Sequence, residues 1–99
     1  MDEFKSSLYA NLAAIPAGKL ISYGQLATLC GYPNHARYVG RVLSALPKDS
    51  QLPWFRVVNS QGKISLMGEA FIRQRELLEK EGVIVSDSGK ISHFKKRQY

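Results

Sequence analysis

The sequence predicts a mainly α domain with short β strands, built around a winged helix-turn-helix. Three observations predict it. Apolar residues recur at helical spacing in three separate segments. A short capped segment, a glycine link and a second periodic segment follow one another between residues 22 and 46. Two runs, VNSQGKIS and VSDSGKIS, read as strand–turn–strand. With 99 residues the chain is expected to form one domain around one core.

In residues 2–15, DEFKSSLYANLAAI, Phe4, Leu8, Leu12 and Ile15 follow at steps of four, four and three, which is one stripe of a helix. Asp2 and Glu3 suit the positive end of its dipole, and Pro16 opposes continuation. PAGK reads as a turn. In SYGQLATLCG, Ser22 and Gln25 have the spacing of a capping box, with Gln25 reaching back, and Gly31 offers a left-handed stop two turns later. A second helix is expected from Asn34 or His35 to about Leu46, where Pro47 closes it. Val39, Val42, Leu43 and Leu46 share one side, while Arg37 and Arg41, four apart, share another.

LPKDSQLP is a polar loop bounded by prolines. FRVV then reads as a short strand, NSQG as a turn and KIS as a return strand. A third helix is expected from about Glu69 to Glu81, with Phe71, Leu77 and Leu78 as its apolar contribution and Gly82 at its end. The echo between VNSQGKIS and VSDSGKIS is attributed to shared turn chemistry, with Gly62 and Gly89 in the left-handed region. HFKKRQY is a basic tail with interleaved aromatics and is expected to be mobile.

The formal net charge of +6 attracts polyanions, with nucleic acid the first candidate and an anionic membrane surface the second. The apolar runs are far too short for a membrane span, and MDEFKSS lacks the hydrophobic centre of a secretion signal. Cys30 is the sole cysteine and has no internal disulfide partner, which fits a reducing cytoplasm. A monomer without metal or cofactor is expected.

Three stretches in order, ISYGQLA, ARYVGRVLSALP and LPWFRVVNSQGKIS, closely resemble the DNA-binding half of the O6-alkylguanine-DNA alkyltransferases. The resemblance covers residues up to 82 and leaves the hairpin and basic tail of 83–99 unmatched, as well as lacking the enzymes' extra N-terminal domain. In that family the run is Pro-Cys-His-Arg-Val, and its cysteine takes the alkyl group from guanine O6. Here Pro53, Arg56 and Val57 match, but Trp54 stands at the cysteine position and Phe55 at the histidine position. That combination is similar to the alkyltransferase-like proteins, which share the fold, lack the nucleophile and bind O6-alkylguanine without repairing it.

Chemistry agrees with the substitution. Displacing an alkyl group needs a soft anionic nucleophile, a role a thiolate fills when a neighbouring base or dipole lowers its pKa. Indole has neither a basic lone pair nor an acidic proton of useful pKa, and phenylalanine cannot act as a base. Cys30 lies outside the motif and is read as a small core hydrophobe.

The resemblance implies roles for further residues. Arg37 matches the finger that enters the base stack from the minor groove and replaces the extruded nucleotide, which suits a flat cationic guanidinium. Ala36 matches the small residue packed in that groove, and Tyr23 the tyrosine that crowds the 3′ phosphate of the rotating nucleotide. Ser60 matches a phosphate contact; Arg41 is read as a phosphate contact or a solvated charge.

The lesion pocket would comprise Trp54 as its wall, with Tyr23, Phe55, Val57, Met67 and Gly68, although Phe55 also suits the core. The backbone carbonyls of Trp54 and Val57 would accept the guanine amine. Met67 stands where the enzymes carry a tyrosine, and Leu46 replaces an asparagine. Both changes make the site more apolar and would widen its tolerance for larger alkyl groups. Arg56 would buttress the loop, and Glu81 matches an acid of the active-site network.

The implied function is a non-enzymatic sensor of O6-alkylguanine in duplex DNA, which flips the base, bends the duplex and hands the lesion to nucleotide excision repair. Two rivals stay open at this point. One is a divergent alkyltransferase using Cys30. The other is a winged helix-turn-helix transcription regulator reading half-sites as a dimer.

Overall fold

The computed structural model describes residues 2–99. Helix α1 (Asp2–Ala13) buries the predicted stripe: Phe4, Leu8 and Leu12 are wholly inaccessible, and Ile15, just past its end, nearly so. Strand β1 (Ile21–Ser22) leads directly into α2 (Tyr23–Leu29), where the Ser22 hydroxyl accepts from the Gln25 backbone N–H at 3.1 Å. The Gln25 side chain is exposed and does not close the reciprocal bond of a capping box. Gly31, at φ +86°, ends the helix. Its N–H reaches the Thr28 carbonyl and the Tyr32 N–H reaches that of Ala27, so the carbonyls of the last turn are satisfied.

Helix α3 (Ala36–Ser44) is shorter at both ends than the spacing suggested, and buries Val39 and Val42. The link before it is held by aromatic rings. Phe4 meets Tyr32 edge-on and stacks on Tyr38, each with centroids 5.2 Å apart, so α1 braces the start of the helix that carries Arg37.

The expected FRVV strand is mostly a tight turn. Trp54–Arg56 form one turn of 3-10 helix in which the Arg56 N–H reaches the Pro53 carbonyl and the Val57 N–H that of Trp54. Only Val57–Val58 extend as β2, and KIS does not return alongside them. Instead β2 pairs in parallel with β1, Ile21 opposite Val57 and Ser22 opposite Val58. This two-strand ribbon divides the interior. Neighbouring residues of an extended chain point to opposite sides, so Ile21 and Val57 join the α1–α2–α3 core, while Leu20 and Val58 join a second core with Ile64, Leu78, Val83, Val85 and Ile91.

Helix α4 (Gly68–Lys80) covers that second core. The two GKIS runs meet each other there. Lys63 and Lys90 face one another antiparallel, bracketed by Ile64 N–H to Gly89 O and Ile91 N–H to Gly62 O, both 2.9 Å. Gly62 and Gly89 are left-handed, at φ +75° and +93°. The shared turn chemistry therefore also makes the two runs partners. Phe94 lies so close over Gly62 that a Cβ there would have no room.

The tail expected to be mobile is docked. Its last turn, α5 (Phe94–Arg97), and the residues after it clasp Leu20, whose N–H reaches the Arg97 carbonyl and whose carbonyl accepts from the Tyr99 N–H, both at 2.8 Å. The Arg97 guanidinium donates to the carbonyls of Gly18 at 3.1 Å and Gly82 at 2.9 Å. Composition pointed to a solvated end, yet those carbonyls and the Phe94 seat give the charged segment specific partners.

Candidate nucleic-acid interface

The turn at Trp54–Arg56 is tied down from two sides. Arg56 donates through Nε at 3.0 Å and through Nη2 to the Glu81 carboxylate, and through Nη1 to the Ile15 carbonyl at 2.6 Å. Glu81 also accepts from the Gly18 N–H at 3.0 Å. Burial by itself raises the Glu81 pKa. The Arg56 hydrogen bonds, the Gly18 N–H and the guanidinium charge outweigh it and hold the carboxyl below its usual range. Arg56 thus joins the turn to the end of α1 and the end of α4.

On the other side stands Gln74, a residue the helical pattern passed over. It is 1% exposed, and its Nε2 donates to the carbonyls of Phe55 at 3.0 Å and Val57 at 2.9 Å. Its position was readable in principle. Phe71, Gln74, Leu78 and Glu81 lie at steps of three, four and three, so a polar side chain on the apolar stripe was the available signal.

With its loop so held, Trp54 is half-buried and stands edge-on to Phe55, centroids 5.9 Å apart. One face borders a cavity of about 590 Å³ lined also by Tyr23, Gly40, Leu43, Ser44, Leu46, Pro47, Lys48, Leu66, Glu69, Ala70 and Arg73. That size falls within the range of small-molecule sites. A broad groove of about 520 Å³ adjoins it, lined by Tyr23, Ala36, Arg37, Gly40, Arg41, Ser44, Ser65 and Leu66. The two depressions share Tyr23, Gly40, Ser44 and Leu66. Arg37 and Arg41 are exposed and form no ion pair among the described residues.

The structure thus brings Tyr23, Ala36, Arg37, Arg41 and Trp54 to one surface. Other residues placed in the pocket by resemblance lie outside it. Phe55 turns away to pack on the second core under the Arg56 guanidinium, 5.3 Å above its ring. Val57 is buried as the strand residue facing the first core, and its carbonyl is engaged by Gln74. The Trp54 carbonyl already accepts the Val57 N–H. Met67 is 85% exposed and precedes α4, and Gly68, at φ +63°, opens that helix. Neither lines the cavity, so the apolar character expected from Met67 comes from Leu46 together with Leu43, Pro47 and Leu66. Ser60 is exposed and lines neither depression. Cys30 is buried in the first core, its sulfur 3.8 Å from Asn11 Nδ2.

A basic helix face beside a tryptophan-walled cavity on this fold defines a DNA-binding class. The chain belongs to the family described as 6-O-methylguanine DNA methyltransferase, DNA binding domain, which matches residues 3–83. Among its relatives, the DNA base-flipping protein of Vibrio parahaemolyticus is 52% identical over 92 residues, covering 93% of this chain and 92% of the relative. Alkyltransferase-like protein 1 of Schizosaccharomyces pombe is 42% identical over 84% of this chain and 79% of its own. The crystal structure of S. pombe Atl1 in complex with damaged DNA containing O6-carboxymethylguanine superposes with a TM-score of 0.88 at 34% identity, covering 100% of this chain and 96% of that one.

Proposed function

We propose that this protein is a non-enzymatic sensor of O6-alkylguanine in duplex DNA. Arg37, on α3, enters the duplex from the minor groove and fills the space of the extruded nucleotide, and the base rotates past Tyr23 into the Trp54 cavity. Flipping costs a few kcal/mol, less for a weakly paired lesion, which favours damaged sites. The observation that carries the reading is the continuity of the arginine-bearing groove with the Trp54 cavity through Tyr23 and Gly40. The base-flipping relative and the damaged-DNA complex of the S. pombe neighbour support it.

The protein holds the lesion without reacting with it. Trp54 and Phe55 supply neither nucleophile nor base, and Cys30 sits in the helical core and does not line the cavity. A sensor that cannot repair must present its complex to another machinery, and we assign that role to nucleotide excision repair in the same compartment, the cytoplasm. The test is a binding titration of duplexes with and without one O6-methylguanine, followed by intact mass of the protein. Tighter binding of the modified duplex with unchanged mass is expected. Equal affinities would end the reading, and a mass gain of one methyl group would make the protein an enzyme.

A further inference from the structure

The rim of the Trp54 cavity carries three charges that a neutral methyl group would not use. Lys48 enters from the loop after α3, and Glu69 and Arg73 stand four apart on α4. Glu N-terminal to Arg at that spacing is a favourable arrangement for an ion pair. The pair is nevertheless not formed, and none of the three side chains has an ion-pair partner among the described residues. Other carboxylates on and beside α4 differ among themselves: Glu79 and Asp87 are engaged by Arg75 and Glu81 by Arg56, while Glu76, which does not line the cavity, is unpaired like Glu69 among the described residues. The wall beneath the rim is apolar, formed by Trp54, Leu46, Pro47 and Leu66, and suffices to hold the carbon of an adduct.

We infer that Lys48 and Arg73 select O6-adducts that end in an anionic group, a short carboxyalkyl chain above all, over neutral adducts of similar size. The inference rests on the reading that the cavity receives the flipped base. A guanine seated against Trp54 with its O6 chain directed at the rim brings the chain's end toward the two cations. There a carboxylate accepts charge-assisted hydrogen bonds, which are shorter and stronger than neutral ones. Glu69 acts in the opposite sense. It repels an anionic adduct and competes for Arg73.

The experiment is a set of anisotropy titrations on one duplex sequence carrying guanine, O6-propylguanine or O6-carboxymethylguanine. The wild-type protein is expected to favour the carboxymethyl over the propyl adduct by roughly ten-fold, the scale of one hydrogen bond to a charged group. Lys48→Gln and Arg73→Gln are expected each to lower that ratio, and Glu69→Gln to raise it. All three residues are exposed, so the fold should tolerate the changes. A wild-type ratio near one, or a ratio untouched by the Lys48→Gln/Arg73→Gln double substitution, overturns the inference while leaving lesion sensing intact. If neither adduct is bound better than guanine, the lesion-sensing reading itself fails.

Discussion

Gln74 holds the Trp54–Val57 turn through a single nitrogen: its Nε2 lies 2.9 Å from the Val57 carbonyl oxygen and 3.0 Å from that of Phe55. The amide is buried, and its own oxygen has no partner. Replacing it with leucine keeps the volume and strips the donor from two carbonyls. Gln74→Leu should therefore destabilise the fold by about 1–3 kcal/mol in urea unfolding. A loss under about 0.5 kcal/mol, typical of a surface change, would show that the two bonds do not brace the turn.

The Arg56–Glu81 pair sets a pH dependence. Glu81 titrates below the ordinary glutamate range in the folded chain, so its contribution is complete above the unfolded pKa and disappears as pH falls through the folded one. Stability should decline through and below the range where free glutamate titrates. Glu81→Gln should lower stability at neutral pH and flatten that part of the acid limb. An acid limb of unchanged steepness in the variant would assign the decline to other carboxylates.

Arg97 and Phe94 make the C-terminal residues structural. Removing residues 94–99 takes away the Gly62 seat, the Leu20 clasp and both Arg97 bonds. The truncated chain should lose about 3–5 kcal/mol, the scale of emptying a large aromatic site. Arg97→Ala alone should cost about 1 kcal/mol, a Tm shift of roughly 4–8 °C for a domain of this size. Melting curves that coincide with those of the untruncated chain would restore the picture of a loose basic end.

Trp54→Cys should not create an alkyltransferase. Phe55 provides no base at the adjacent position and is packed away from the cavity, so the new thiol would keep an unassisted pKa. Intact mass after incubation with O6-methylguanine duplex should show no transfer. Trp54→Ala should weaken lesion binding, by roughly 0.8 kcal/mol for each methylene no longer covered, and a discrimination ratio equal to wild type would remove Trp54 from the lesion wall.

Arg37 and Arg41 should act mainly through charge on undamaged DNA. Neither has an ion-pair partner among the described residues. Arg41→Gln should weaken damaged and undamaged duplexes alike and reduce the salt slope of binding by about one. Arg37→Gln should in addition lower the preference for the lesion, because an intercalating side chain also holds the flipped state open. Equal losses from the two variants would make Arg37 a plain phosphate contact.

Much was readable from the chain alone, where the causes are local. The Phe4–Leu8–Leu12–Ile15 stripe, the Ser22 cap and the Gly31 stop depend on residues a few positions apart, as does the chemical inertness of Trp54 and Phe55. The motif order around Pro53–Val57 led to the family. Tertiary structure decided what joins distant segments. It paired Ile21 with Val57 rather than folding KIS back on FRVV, and set Lys63 against Lys90. It also buried Gln74 to reach the pocket loop, bound Arg97 to Gly18, and left one face of Trp54 open to a cavity while turning Phe55 and Met67 away. Helical period and capping report which side of a segment is apolar. They carry no information on which far carbonyl a buried donor will satisfy, since that choice is made only when the two cores close around the β1–β2 ribbon.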